Sequence, residues 1–368
     1  MQNDEENNSS EEELVSGGSS MSSSEVTMSL IGELIGKDEM NLVEQPFAIL
    51  QYGKSKGSVI EIEWEHYHKA SKKLLHARWR VAGDAEYGLP GPFEERLYLA
   101  MMQLTKETGD QIVPFSRFDL LRRMNLSQNN KGYGLLTTGF TRLKAIVIAA
   151  DNCFWNPRTK DYYIQRSFNL IDDFGIANEP TGRKGNSYLP LSFFKWSNKF
   201  YESFQLGHIR SLDLGFALSL DLPLSLRLFR YLDKHHKRAG YYQKTYEIAL
   251  ERLCRVRLGM TPQRFVSKYK ERLQGAHDEL LMRGYLGKIE YTTMSRSPEI
   301  KLVYTYACRP YDKQARAFKM SNKFKALSDE EKKPLRAIAR TTAPEVMWNE
   351  LEDPSSLMSD PLWDLMAN

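Results

Sequence analysis

Between Tyr241 and Tyr306 the apolar residues change spacing twice, from a short extended run to a three-and-four repeat and back to extended pieces, which restricts the segment to a strand, two helices and a hairpin. Thr261 is a suitable N-cap and Pro262 a suitable first helical residue, so the second helix is expected to start there. Phe265, Tyr269, Leu273, Ala276 and Leu280 then form one apolar stripe. The outer arc is left to Gln263, Arg264, Ser267, Lys268 and Lys270, a mixture of phosphate-binding cations and side chains able to reach base edges. Ile248, Leu250, Leu253 and Val256 suit the preceding helix, and Arg252, Arg255 and Arg257 beside them are candidates for backbone phosphates. After Gly284, strands are expected over 285–294 and 299–306, joined by a turn holding Arg296, Ser297 and Pro298.

The same plan occurs earlier with negligible identity. Pro92 opens a helix whose Phe93, Leu97, Met101 and Leu104 share a face, and Gly109 follows its end. A strand over 111–115 leads through Ser116 into a helix with Phe118, Leu121 and Met124. In a third helix Leu136, Phe140, Leu143 and Val147 point inward, leaving Thr137, Thr138, Thr141 and Lys144 outside. Strands over 148–155 and 161–168 are joined by Asn156-Pro157-Arg158-Thr159-Lys160, which is strong turn chemistry. Helix, strand, helix, helix, hairpin, twice over, is the outline of two tandem winged-helix domains in an α+β chain. Each would combine a helix-turn-helix with a β-hairpin, a module that puts one helix into a DNA groove. The expected division is a disordered tail over 1–28, a first winged helix over 29–180, a second, basic one over 181–312, and a flexible tail over 313–368.

Charge follows that division. From Ser225 to Pro310 there are 18 Lys and Arg against 8 Asp and Glu, whereas the whole chain carries only +4. Residues 1–44 run the other way, with 11 acidic side chains against the single Lys37. That asymmetry points to double-stranded DNA as partner of one part and a solvated tail at the other. The opposite tail ends in acids alternating with Trp348, Leu351, Leu357, Leu362, Trp363 and Met366, able to dock on a partner or to act only as a solubiliser.

Other function classes find little support. No apolar run approaches the roughly 18 residues of a membrane span, and the acidic amino end lacks a signal-peptide pattern, so a cytoplasmic protein is expected. Cys153, Cys254 and Cys308 are odd in number and have no Cys-x-x-Cys pair, which reads as buried thiols with no disulfide framework or zinc cage. A phosphate loop is lacking; Gly182-Arg183-Lys184-Gly185 has neither the spacing nor the preceding strand. No nucleophile elbow or zinc-protease helix occurs, so no enzyme, cofactor or metal is expected. His235-His236 read as surface histidines compensating a helix end. His66-Tyr67-His68 is the one arrangement with catalytic potential. Ile60, Ile62, Trp64, His66 and His68 would share a strand face, and rolling-circle nickases use such a histidine pair to hold a metal while a tyrosine attacks the phosphate. Half-buried histidines ending an edge strand is the competing reading, since Tyr162-Tyr163 and Tyr241-Tyr242 lack the helical context of a nucleophile.

A run of collinear motifs resembles the bacterial plasmid replication initiator protein A family. It begins with Gly36-Lys37-Asp38-Glu39-Met40-Asn41-Leu42, Pro46-Phe47-Ala48, Tyr87-Gly88-Leu89-Pro90, Gln103-Leu104-Thr105-Lys106 and Val113-Pro114-Phe115-Ser116-Arg117. It continues through Ser203-Phe204-Gln205, Leu212-Asp213-Leu214 and Arg227-Leu228-Phe229-Arg230-Tyr231-Leu232-Asp233-Lys234. Leu273-Gln274, Ala276, Glu279-Leu280 and Gly284-Tyr285-Leu286 complete the set, which covers about residues 30 to 310. The resemblance implies a winged-helix initiator that binds repeated sequences in a plasmid origin, helps to open it for the host helicase and initiation proteins, and represses its own promoter, often as a homodimer. Action without nucleotide hydrolysis is implied too. No base-contacting residue carries over. From the helix faces alone, Arg264, Lys268 and Lys270 would anchor phosphates, Gln263 and Ser267 would lie nearest the bases and Arg296 would approach the minor groove. Lys131, Thr138, Thr141, Arg142 and Lys144 of the first domain would meet an adjoining half of the repeat or form a dimer surface. The alternatives are a dimeric winged-helix transcriptional repressor and the metal-dependent nickase using His66 and His68.

Overall fold

In the computed structural model, residues 35–50, 59–68, 71–177, 192–238, 241–293 and 299–307 are described. Arg296 and its turn, the segment with Gly182 to Gly185, Cys308 and both expected tails lie outside them. No helix among the described residues is long and apolar enough to cross a membrane.

The chain enters through β1 (Ile35–Glu39) and α1 (Met40–Glu44), then a long hairpin, β2 (Val59–His68) and β3 (Lys73–Ala82). α2 (Pro92–Thr108) starts as its sequence requires. Pro92 sits in the first turn, the Glu94 carboxylate accepts from the Gly91 N–H at 2.7 Å, and Gly109 closes the helix at φ +74°, a conformation that favours glycine. Leu97 through Met102 are all fully buried, so α2 is covered on every side and is the axis of the fold, not a surface helix. β4 (Ile112–Phe115), α3 (Arg117–Arg123, capped by Ser116) and α4 (Asn130–Ala145, capped by Asn129) follow. Gly139 lets α4 approach α2, because a Cβ there would stand 2.9 Å from both Leu97 and Phe93.

The hairpin expected after α4 forms, but serves another sheet. β5 (Val147–Asp151), the ribbon β6 (Trp155–Asn156) with β7 (Asp161–Tyr162), and β8 (Gln165–Asn169) come next in the chain. β5 and β8 join β2 and β3 in a four-stranded sheet of order β2-β3-β5-β8. β4 pairs instead with β10 (Ser192–Trp196), whose other neighbour is β9 (Ile171–Gly175). The reason is packing. Phe194 and Trp196 of β10 are fully buried, and Phe194 meets Phe115 of β4 and Phe140 of α4 at 5.9 and 6.0 Å between ring centroids. The boundary expected at residue 180 lies outside the described residues, between the paired strands β9 and β10 in sequence. Val147 begins β5 and is exposed, as is Phe118, so neither belongs to the apolar face expected for it.

α5 (Asn198–Gln205), β11 (Ile209–Asp213), which pairs with β1, and α6 (Leu214–Ser219) lead to the second unit. It comprises α7 (Pro223–His236), the short pair β12 (Lys237–Arg238) and β13 (Tyr241–Tyr242), β14 (Thr245–Ala249) and α8 (Leu250–Arg252) with a following π-helical turn (Leu253–Arg257). α9 (Val266–Met282), β15 (Leu286–Thr293) and β16 (Ile300–Tyr306) complete it. Its sheet runs β14-β16-β15, the same arrangement as β4-β10-β9. Setting aside β5 to β8, which lie between α4 and β9, and the short β12–β13 pair, both units of this α+β chain run helix, strand, helix, helix, strand, strand, with the last strand central.

Four buried charges join the units. Arg230 of α7 donates to Asp38 of β1 at 2.7 and 2.8 Å and to Glu95 of α2 at 2.6 Å, and Arg227 donates to the other Glu95 oxygen at 2.8 Å. The Tyr98 hydroxyl donates to Asp38 at 3.0 Å. Burial works to raise the Glu95 carboxyl, but Arg227 and Arg230 outweigh it and hold the group below its ordinary range. Nearby, Glu39 is also fully buried without a guanidinium, and burial pushes its carboxyl up to about 7 against hydrogen bonds from the Leu42 N–H, Asn41 and Ser203.

Two outcomes follow from these charges. Arg230→Met, which strands Asp38 and leaves Glu95 to Arg227 alone, is expected to cost about 3–5 kcal/mol in urea unfolding, and adding Asp38→Asn to restore part of it. Glu39 holds its proton more tightly folded than unfolded, so its contribution to stability is present at low pH and is lost as pH rises from the unfolded value of 4.5 through about 7. Glu39→Gln should flatten the decline in urea midpoint across that window.

Candidate nucleic-acid interface

The face of α9 that looks away from the core is the natural surface to test for groove binding, because Tyr269, Leu273, Ala276 and Leu280 pin the opposite side. The helix starts later than its sequence suggests. Its N-cap is Phe265, with no side-chain cap bond, and Thr261 caps nothing. The Gln263 N–H donates instead to the Tyr269 hydroxyl at 2.9 Å and the Gln263 amide to the Thr261 carbonyl at 2.9 Å, which holds the lead-in segment off the helix axis. Gln263 and Arg264 therefore sit on the approach to α9, with the Arg264 guanidinium 5.3 Å from the Phe265 ring. Phe265 itself is 58% exposed and leaves the apolar stripe.

Ser267 and Lys268 are exposed, as expected, and Lys268 pairs with Glu271 at 2.7 Å. The Lys270 ammonium stands 4.5 Å over the Tyr291 ring of β15, so it links helix to hairpin. At 100° per residue the outward direction passes midway between Glu271 and Asp278, with Arg272, Gln274 and Gly275 also exposed. Sequence reading concentrated on cations and passed over Glu271, although a carboxylate in a groove can accept from a cytosine amino group. Gly275, with only a Leu222 methyl within 4 Å of a notional Cβ, leaves that part of the face open to close approach.

The three arginines on the preceding helix separate. Arg252 is exposed and has no ion pair among the described residues, and Arg255 is exposed and bridges Glu251 at 2.7 Å. Arg257 is not a phosphate ligand in this fold. Its side chain is 13% exposed, pairs with Glu44 of α1 at 2.9 Å and lies 5.9 Å from the Trp64 ring. The charge that looked like an interface cation holds α1 and β2 against the second unit.

On the first unit, α4 presents Lys131, Leu135, Thr137 and Thr138 to solvent. Thr141 returns its hydroxyl to the Thr137 carbonyl at 2.9 Å, as helix threonines do. Arg142 is committed inward, donating to the Tyr87 carbonyl and to Glu94 at 3.0 Å each, and Lys144 lies 3.5 Å from Asp173 on β9. The first face is polar and nearly uncharged while the second carries the cations.

The histidines also resolve. β2 is an edge strand, as expected of the His66-His68 pair. His68 is held by Asp161 at 2.9 Å and Ser71 at 2.7 Å, and His66 packs edge-on against Tyr162 at 5.1 Å. Among the described residues no group of three His, Cys, Asp or Glu is placed to hold a metal ion. His235 and His236 are not surface groups. His235 stacks on Tyr246 at 4.2 Å and His236, buried, on Tyr306 at 3.9 Å, because α7 packs along β14 and β16. Cys153 and Cys254 are buried thiols, pushed up to about 12 by burial.

Solved structures similar to this chain include two crystal structures of RctB. One, of selenomethionine derivatives of domain 2 and domain 3, shares 10% identity at a TM-score of 0.47 and covers 73% of this chain and 99% of that chain. The other, of domains 2-3, shares 11% identity at a TM-score of 0.41 and covers 75% of this chain and 99% of that chain. No protein-family model and no curated protein matches.

The division among the arginines is testable without DNA. Arg257→Ala should lower stability in urea by about 3 kcal/mol through the broken buried pair, while Arg255→Ala should stay within about 0.5 kcal/mol.

Proposed function

We propose that this chain is a replication initiator built from two winged-helix modules, which binds repeated sequences in a plasmid origin with both modules on one duplex. The observation that carries the DNA-binding part is the repetition of one topology, with α4 and α9 at the equivalent place and an outward polar face on each. The initiator part rests on the motif resemblance in the sequence.

In this reading α9 enters a major groove. Arg264, Lys268 and Arg252 approach phosphates, and Ser267, Gln263 and Glu271 lie nearest the bases. Arg255 extends the cationic rim, and Lys270 stiffens the joint between helix and hairpin. Lys131, Thr138 and the exposed Leu135 of α4 read a neighbouring turn, where Leu135 suits a thymine methyl. Cations on one module and neutral polar groups on the other make the second module the stronger and more salt-sensitive grip. Opening of the origin, recruitment of host helicase and initiation proteins, autorepression and homodimer formation complete the proposal. Two recognition helices one helical turn apart ask for repeats of about twenty base pairs.

A dimeric transcriptional repressor of the same architecture is the competing reading. It is separated by whether a plasmid carrying only this gene and its flanking region replicates. A covalent protein–DNA link, lost in His66→Ala, would instead favour the nickase.

For the interface itself, the variant Arg264→Ala with Lys268→Ala is expected to weaken binding to the origin repeats and to reduce the slope of log affinity against log salt by up to about 2. Lys323→Ala with Lys325→Ala should change neither appreciably. Equal losses in the two double variants would reduce the interface to general charge.

A further inference from the structure

A cleft of about 860 Å³ is lined by β2 of the four-stranded sheet, by the separate β6–β7 ribbon, by α1, and by α7, β14 and α8 from the second unit. It takes no part in the duplex interface proposed above apart from Arg252 at its edge. Its lining is aromatic and in short contact. The Tyr162 ring lies 5.1 Å from His66 and 5.2 Å from Trp155, and on the second unit His235 and Tyr246 stack at 4.2 Å and 17°.

Polar groups sit among these rings without full satisfaction. Arg257 Nε and His66 Nε2 are buried and have no protein hydrogen-bond partner, although the other end of the Arg257 guanidinium pairs with Glu44. Leaving such a group unpaired costs about 1–3 kcal/mol, so the residues that line the cleft hold hydrogen-bonding capacity that the protein itself does not use. The ring nitrogens are held neutral: burial first, then Arg252, lowers His66, and burial lowers His235 despite Glu44. They therefore offer hydrogen bonds and not charge. Lys234 and Arg257 are paired with Glu44 and Lys301 with Glu247, which leaves Arg252 as the lining cation with no ion pair among the described residues.

We propose that this cleft binds a nucleotide, its base stacked on the Tyr162–Trp155 and Tyr246 rings, its edge bonded by His66 and Arg257, and its phosphate facing Arg252. Few other ligand chemistries use all of these features. A greasy ligand would leave the polar lining unused, a cation would meet Arg252, and a bare phosphate would leave the aromatic rings unused. A planar ring with a hydrogen-bonding edge and an attached anion uses the stacking, the unpaired nitrogens and the rim together, and base–aromatic stacking contributes about 1–3 kcal/mol per base. The nucleotide could be free in solution or belong to an unpaired strand. The volume admits either.

The test uses the full chain with dAMP, dTMP and a single-stranded oligothymidylate as probes, read by tryptophan fluorescence, since Trp64 and Trp155 line the cleft, and by equilibrium dialysis. Saturable binding is expected, weakened about tenfold by Tyr162→Leu and by Tyr246→Leu, with affinity for duplex repeats unchanged. Two variants on opposite sides keep the test usable if one fails to fold. Oligothymidylate that binds more tightly than dTMP and displaces it identifies a strand nucleotide as the source. Mononucleotide binding that the oligonucleotide does not displace identifies a free one. No saturable binding of any probe, or binding that both variants leave intact, overturns the proposal. Loss of duplex binding with the cleft intact would instead count against the winged-helix interface alone.

Discussion

The arrangement of the two units depends on a buried ionic junction with an equal number of each charge. Asp38, Glu95, Arg227 and Arg230 are each at most 5% exposed in their side chains, and each carboxylate or guanidinium has its counter-ion within 3 Å. Removing such groups from water costs several kcal/mol apiece, which their mutual attraction repays only in one geometry. An apolar interface of the same area would tolerate rotation and sliding. This one specifies how α7 lies against α2 and β1, and through them how α9 is placed relative to α4.

Around the junction the polar groups are bonded to one another in a continuing network. Glu39 caps α1 and accepts from Ser203, Lys234 donates to the Met40 carbonyl at 3.0 Å and pairs with Glu44 at 2.9 Å, and Arg210 binds Asp233. Asp38, Glu39 and Asn41 belong to one of the motifs that carry the family resemblance, and Arg227, Arg230, Asp233 and Lys234 to another. Those motifs therefore describe the joint between units, and not the surface that meets a ligand. That is why the resemblance speaks to architecture and is silent on any binding surface.

The same joint creates the aromatic cleft. Arg257 and Glu44 cross from the second unit to α1, and the space left between β2, the β6–β7 ribbon and β14 is bounded by rings. A site at a junction of rigid units responds to their relative placement.

Much of this was legible in the residues. The α2 start at Pro92 and stop at Gly109, the Ser116 cap, the inward stripe of α9 and the edge position of His66 and His68 are local consequences of spacing, capping and alternation, and sequence alone determined them. Local signals failed where two answers satisfy the same pattern. The 148–168 hairpin and the β9–β10 hairpin both alternate, and only the burial of Phe194 and Trp196 against Phe115 and Phe140 decided which one completes the sheet of the first unit. Thr261-Pro262 has the chemistry of a helix start, but the Tyr269 hydroxyl captures the Gln263 N–H and delays the helix to Val266. Arg257 and Arg142 read as surface cations, yet Glu44 and Glu94 lie at distances in sequence that no pattern exposes. What the sequence determined was the caps and stops of several helices and the buried stripe of Tyr269, Leu273, Ala276 and Leu280. What only the tertiary structure decided was the partner of each charge and strand, because those energies arise between residues up to about two hundred positions apart, as with Arg230 and Asp38.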